Sequence, residues 1–181
     1  MNRENFIRWT QISIEPWQLY IAASPDGLCY IGSPHGSFEE AARCIQKVFP
    51  VHSLIRDEHT LQPFAEQIIQ YAKGKLQQFT FPLDLKGTPF QLTVWKSLCC
   101  IPYGHSVSYS DIAEQIGKLS AVRAVGTAIG ANPLLIAVPC HRVIGKNGAL
   151  TGYRGGIEMK SKLLQLEQNV TIRHSAATAH K

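Results

Sequence analysis

The chain has no apolar run approaching the ~20 residues that a membrane-crossing helix needs. Its N-terminus sets Arg3, Glu4 and Arg8 among polar residues and has no apolar signal core. These absences leave no membrane partner to expect and make the cytoplasm the predicted compartment. Cysteine pairing is missing as well. The five cysteines, Cys29, Cys44, Cys99, Cys100 and Cys140, are odd in number and include no Cys-x-x-Cys pair, so neither a disulfide framework nor a zinc ribbon is expected. Cys29 with His35 lacks the two further ligands of a zinc site, and His52 and His59 read as surface histidines. No metal and no cofactor is predicted. Most of the thiols, Cys99 and Cys100 among them, are expected to pack as small hydrophobes, which leaves one to be reactive.

Charge is also sparse: 17 % of residues are charged against 45 % hydrophobic. That balance fits a globular protein, and 181 residues suffice for one sizeable domain or two small ones. The charge is unevenly placed. Residues 1–85 carry seven basic and nine acidic side chains, a net of −2, whereas residues from Lys86 onward carry eleven and four, a net of +7. A basic second half suits phosphate binding.

The first half, residues 1–85, reads as a small α/β unit. Trp17–Ala23 and Leu28–Ile31 are short strands joined by the turn Ser24-Pro-Asp-Gly27. Ser37-Phe-Glu-Glu40 is a capping box that opens a helix to about Val48. A second helix is predicted over Leu61–Lys73, ending at Gly74, and Phe79–Leu85 alternates as a strand.

The second half, residues 86–170, reads as mostly helical. Thr88-Pro-Phe-Gln91 is a capping box with proline at the first helical position, and Phe90, Val94, Leu98 and Ile101 form a core stripe. Ser110 is placed to cap a short helix over Asp111–Ile116. Gly117 to Ser120 turns the chain into a second helix from Ala121 to about Ala131, stopped by Asn132-Pro133. Two short helices around a glycine turn make a helix-turn-helix pattern. The second helix is unusual for a major-groove reader, because Ala121, Ala124, Gly126, Ala128 and Gly130 are small and Arg123 is its only charge. Either these residues pack against another helix, or they allow close approach to a minor groove with Arg123 entering the base stack. Residues 171–181 are small and polar and read as a disordered tail.

Leu134–Val138 reads as an apolar strand that ends in Pro139 and presents Cys140, His141 and Arg142. A thiol is only a few per cent ionised at neutral pH. A neighbouring imidazole can take its proton, and Arg142 is positioned to favour the thiolate. Adjacent strand residues point to opposite faces, so a Cys140–His141 contact needs a turn or a bridging water. These residues alone are compatible with a reactive thiol on a nucleic-acid-binding half, with a binding module without chemistry, and with a Cys–His hydrolase.

The string Pro139-Cys-His-Arg-Val143 resembles the signature of the O6-alkylguanine-DNA alkyltransferase family. So do Gly87–Gln91, Val107–Tyr109, Arg123–Gly126, Asn132-Pro133, Gly152–Gly156 and Leu163–Glu167, all in the same order. The resemblance implies a ribonuclease-H-like α/β N-terminal domain and a winged helix-turn-helix-like C-terminal domain. It implies a monomer acting on double-stranded DNA that contains O6-alkylguanine, cytoplasmic and nucleoid-associated in a prokaryote, with O4-alkylthymine as a minor substrate. It assigns Cys140 as the alkyl acceptor, His141 as a base acting through water, Glu167 as the group that orients the imidazole, and Asn132 as the tie to the active segment. By the same resemblance Tyr109 contacts the rotating phosphate and protonates the departing guanine, and Arg123 fills the gap left by the flipped base. Ser120, Ala124 and Gly126 would lie on the DNA. Pro139, Val143, Tyr153, Arg154, Gly155 and Gly156 would border the substrate pocket, with the Cys140 and Val143 carbonyls on the exocyclic amine. Two departures stand out: small residues at Ile129-Gly130-Ala131, and a charge at Arg154.

Overall fold

In the computed structural model, which describes residues 5–34 and 36–178, the Ser24–Gly27 turn joins β2 (Trp17–Ser24) antiparallel to β3 (Gly27–Ile31). Gly27 has φ +147, and a Cβ there would stand 2.5 Å from the Pro82 carbonyl oxygen, so only glycine fits this approach. Two strands that the sequence reading did not mark complete the sheet. β1 (Phe6–Ile14) pairs antiparallel with β2, and β4 (Ser53–Arg56) pairs parallel with β1, giving the order β3-β2-β1-β4. In β1 the buried Ile7, Thr10, Ile12 and Ile14 are interleaved with Arg8, Gln11 and Ser13, which blurs the alternation. His35, residues 1–4 and residues 179–181 lie outside the described residues, so the Cys29–His35 pairing and the end of the predicted tail do too.

Helix α1 (Phe38–Val48) starts on Ser37, whose hydroxyl accepts from the Glu40 amide, the N-cap half of the expected capping box. Helix α2 spans Glu58–Ala72 and starts one turn earlier than the apolar pattern indicated, because Asp57 caps it through the Thr60 amide. The predicted strand at Phe79–Leu85 does not form. Only an isolated bridge, Leu28 to Leu83, joins it to β3, since Pro82 has no amide hydrogen for a ladder. The alternation still has a cause: Phe79, Phe81, Leu83 and Leu85 all face the core.

In the second half, α3 (Pro89–Cys99) has the Thr88/Gln91 capping box. Val94, Leu98 and Ile101 are buried as predicted, but Cys99 and Cys100 are exposed. Each is rotated off the stripe by the 3.6-residue period. Helix α4 (Tyr109–Gln115) is capped by Ser108 rather than Ser110, in a reciprocal box with Asp111. A short 3-10 turn, Leu119–Ala121, leads into α5 (Val122–Gly130). β5 (Val107–Ser108) pairs with β6 (Val143–Ile144). The last helix, α6 (Ile157–Thr178), runs into the segment read as a disordered tail; Val170, just before it, is buried and Thr171 donates its hydroxyl to the Glu167 carbonyl.

The halves share one core. Ile12, Leu19 and Ile31 of the sheet join Leu98, Leu134 and Leu163 in a single apolar cluster, and the Ile31 amide donates to the Pro133 carbonyl at 3.0 Å. No described helix is long and apolar enough to cross a membrane.

Candidate active site

The segment from Asn132 to Arg142 is not a strand. Asn132, 1 % exposed, donates from Nδ2 to the Leu134 carbonyl (3.2 Å), the Val138 carbonyl (3.0 Å) and Cys140 Sγ (3.0 Å), and its Oδ1 accepts the Leu134 amide at 2.9 Å. One buried side chain thus takes up backbone groups that a strand would give to a ladder. The chain coils around it, with Ile136 at φ +70, a costly conformation for a β-branched residue. After Pro139, residues Cys140–Arg142 form a 3-10 turn. This supplies the turn that a strand geometry lacked.

Behind the thiol lies a buried charge cluster centred on Glu167. His141 Nε2 is 2.6 Å from Oε1, and both side chains are fully buried. Arg142 donates from Nε to Oε2 at 2.9 Å and from Nη2 to Oε1 at 3.1 Å, and from Nη1 to the Ile101 carbonyl at 2.6 Å. The Gly104 amide adds a bond to Oε2 at 2.9 Å, and the Tyr71 hydroxyl donates to Oε1. Although burial opposes ionisation, the His141 and Arg142 bonds hold the Glu167 carboxyl down at about 2. An ionised carboxylate can only accept, so the His141 proton sits on Nε2 and Nδ1 carries the lone pair. Nδ1 has no hydrogen-bond partner among the described residues. Burial also lowers the imidazole below its ordinary value, which keeps it neutral and basic at pH 7.

Two expectations about the cations change. Arg142 is engaged with Glu167 rather than with the thiol. The charges that favour the Cys140 thiolate are Arg154 and Lys160, together with the Asn132 hydrogen bond. Burial outweighs them and pushes the thiol up from its ordinary value, so Cys140 rests as a thiol that needs a base to ionise it.

Lys160, 0 % exposed, donates to the Val143 carbonyl at 2.6 Å and the Thr151 carbonyl at 2.9 Å. The sequence reading missed it, though a signal existed: Lys160, Leu163, Glu167 and Val170 recur at helical spacing along one buried stripe of α6. Tyr71 was missed too, and nothing near it in the sequence marks it. It reaches Glu167 from α2, and its hydroxyl is 3.3 Å from His141 Nε2.

The pocket-side residues converge on this cluster. The Tyr153 ring stands edge-on to His141 at 6.4 Å, and its buried hydroxyl has no partner among the described residues. A Cβ on Gly155 would meet Met159 Sδ and the Tyr153 ring, both at 2.6 Å, so a side chain there would have to displace them. Pro139 and Val143 are buried beside Cys140. Arg154 extends from the same loop toward the N-terminal sheet. Its guanidinium turns to the Asn132, Pro133 and Ile31 carbonyls.

Tyr109 bridges the pocket and α5. Its ring packs 3.7 Å from the position a Cβ on Gly126 would take, and its hydroxyl donates to the Thr151 carbonyl at 3.1 Å. The small residues of α5 divide between a packed and an exposed side. Ala128 is buried where its carbonyl accepts Trp95 Nε1 at 2.8 Å, while Arg123, Ala124 and Gly130 are exposed together with Ser120.

Residues 7–85 match the 6-O-methylguanine DNA methyltransferase ribonuclease-like domain, and residues 89–169 match the DNA binding domain of the same family. The inducible methylated-DNA–protein-cysteine methyltransferase of Bacillus subtilis is 53 % identical over 163 residues, covering 90 % of this chain and 91 % of that protein. The crystal structure of Mycobacterium tuberculosis O6-methylguanine methyltransferase superposes with a TM-score of 0.79 at 40 % identity, covering 91 % of this chain and 94 % of the other. The M. tuberculosis protein solved in complex with DNA gives 0.77 at 39 %, over 91 % and 94 %. With both halves matched in order and the cysteine segment coiled onto a buried histidine and glutamate, the chain belongs to the methylated-DNA–protein-cysteine methyltransferase family.

Proposed function

We propose that the protein repairs O6-alkylguanine in double-stranded DNA by moving the alkyl group irreversibly to Cys140. The observation that carries this reading is a buried thiol held by Asn132, beside an imidazole whose Nε2 is bound to Glu167 and whose Nδ1 is unpartnered. The alkyl carbon sits on O6, at the pairing edge of a stacked base, so the nucleotide has to leave the stack. The exposed side of α5 suits a minor groove. Arg123 then fills the gap, and Ser120, Ala124 and Gly126 allow close approach.

In the pocket, between Tyr153 and the loop through Gly156, Cys140 gives its proton to His141 Nδ1 through a water, and Glu167 stabilises the imidazolium. The sulfur bonds to the alkyl carbon as the C–O6 bond breaks, and its electrons return to the purine. Tyr109, released from Thr151, protonates the departing guanine and regains a proton from solvent. The product is a thioether, which water cannot cleave as it cleaves a thioester, so each molecule acts once. The same reading has the protein act as a monomer in the cytoplasm, where free thiols and a DNA substrate fit, and makes O4-alkylthymine a second lesion to assay.

Incubation with duplex DNA containing O6-methylguanine should add ~14 Da to the Cys140 peptide and stop at one equivalent. Cys140→Ala should bind the lesion without an adduct. Saturable lesion binding by the folded wild-type protein with no covalent transfer would replace this reading with the lesion-binding module.

A further inference from the structure

Loop 152–156, the proposed pocket wall, is closed on itself by the Gly156 amide donating to the Tyr153 carbonyl at 2.9 Å and is rich in glycine. Gly152 has φ +47 and Gly156 φ +86, with Gly155 between them, and glycine resists deformation least. The Tyr153 hydroxyl has no partner among the described residues. The side-chain hydrogen bonds that tie this loop to the rest of the protein, among the described residues, come from Arg154.

Arg154 makes four of them. Nε donates to the Asn132 carbonyl at 3.2 Å, Nη2 to the Ile31 carbonyl at 2.8 Å and the Pro133 carbonyl at 3.2 Å, and Nη1 to the Tyr30 hydroxyl at 3.4 Å. Its Cζ lies 5.4 Å from the centroid of the Tyr30 ring. Ile31 and Tyr30 belong to β3, more than 120 residues earlier in the chain. Asn132 is the same residue whose Nδ2 contacts Cys140 Sγ at 3.0 Å. Pocket wall and acceptor sulfur are therefore both referenced to Asn132, the wall through its carbonyl and the sulfur through its amide.

We infer that Arg154 is a positioning residue that sets the width of the alkyl pocket, by bracing the Tyr153 wall against Asn132 and against β3 of the N-terminal domain. The inference rests on the alkyl transfer proposed above. A methyl group transfers fastest when the wall and sulfur are held in one near-attack geometry. A bulky group needs the wall to yield. Releasing the brace therefore slows methyl transfer while it eases entry of a large group. A planar five-donor fork suits three carbonyls and a ring face at once; an ammonium does not.

The test compares transfer rates to Cys140 from duplex DNA carrying O6-methylguanine and from the same duplex carrying O6-benzylguanine. Arg154→Ala should raise the benzyl-to-methyl rate ratio by roughly fivefold or more. Arg154→Lys should fall between Ala and wild type, and Tyr30→Leu should shift the ratio the same way by less. An unchanged ratio in Arg154→Ala, with both rates falling in step or neither moving, overturns the inference. If Arg154→Ala does not fold, the ratios of Arg154→Lys and Tyr30→Leu decide, and no shift in either overturns it. A wild-type protein that forms no Cys140 adduct removes the transfer reading itself, an outcome distinct from an adduct with an unshifted ratio.

Discussion

Replacing Glu167 by glutamine tests the centre of the buried cluster. The carboxylate is fully buried and accepts from His141, both arms of Arg142, Gly104 and Tyr71. Glutamine keeps one acceptor oxygen and turns the other position into a donor facing donors. It also leaves Arg142 buried without its counter-charge, a change that costs about 3–5 kcal/mol. Linkage gives a similar figure. A carboxyl held at about 2 instead of 4.5 stabilises the folded state by about 3 kcal/mol at neutral pH. The sign follows from a folded value below the unfolded one: the contribution is complete above 4.5 and disappears as pH falls through about 2.

Urea denaturation at pH 7 should therefore show Glu167→Gln destabilised by about 3–5 kcal/mol, and single-turnover transfer slowed about 100-fold or more as the base loses its orienting partner. In a His141→Asn background, where no imidazole titrates, the stability increment should shrink between pH 7 and pH 3. A loss below about 1 kcal/mol at pH 7, the size of an ordinary exposed pair, would refute the reasoning. So would an increment that does not change with pH.

Three further outcomes are expected. Tyr71→Phe removes one donor from Glu167, which strengthens the pull of the carboxylate on His141; Arg142, Lys160, Cys140 and Tyr153 also face the imidazole and are unchanged. The acid limb of the rate–pH profile should move to higher pH, and an unshifted limb would confine Tyr71 to packing. Asn132→Ala strands buried backbone groups of Leu134 and Val138 and should cost about 2–4 kcal/mol in a denaturant melt, with slower transfer because the thiol loses its donor. Arg123→Ala should slow repair of lesions in duplex DNA while leaving transfer from the free base O6-benzylguanine at the wild-type rate. Equal losses would argue against a role in base extrusion.

Local signals in the sequence marked the elements that local physics controls. The Ser37 cap and the Thr88 capping box start α1 and α3, because a side chain three residues from its partner amide satisfies it whatever the rest of the fold does. The turn at Ser24–Gly27 and the break at Asn132-Pro133 were legible for the same reason. Where a partner lay far along the chain, reading failed. Leu134–Val138 has the composition of a strand, yet Asn132 captures its carbonyls and coils it.

The site divides in the same way. The sequence, through its resemblance to the family at Pro139–Val143 and Leu163–Glu167, grouped Cys140, His141 and Glu167, since residue identity carries the chemistry. Only the tertiary structure decided what each contact does. Arg142 neutralises Glu167 instead of the thiol, Tyr71 joins the cluster from α2 across 96 residues, and Arg154 extends from its loop onto β3. A charged side chain settles on whichever buried partner folding brings within reach, and that partner is fixed by packing between domains, which no local spacing records.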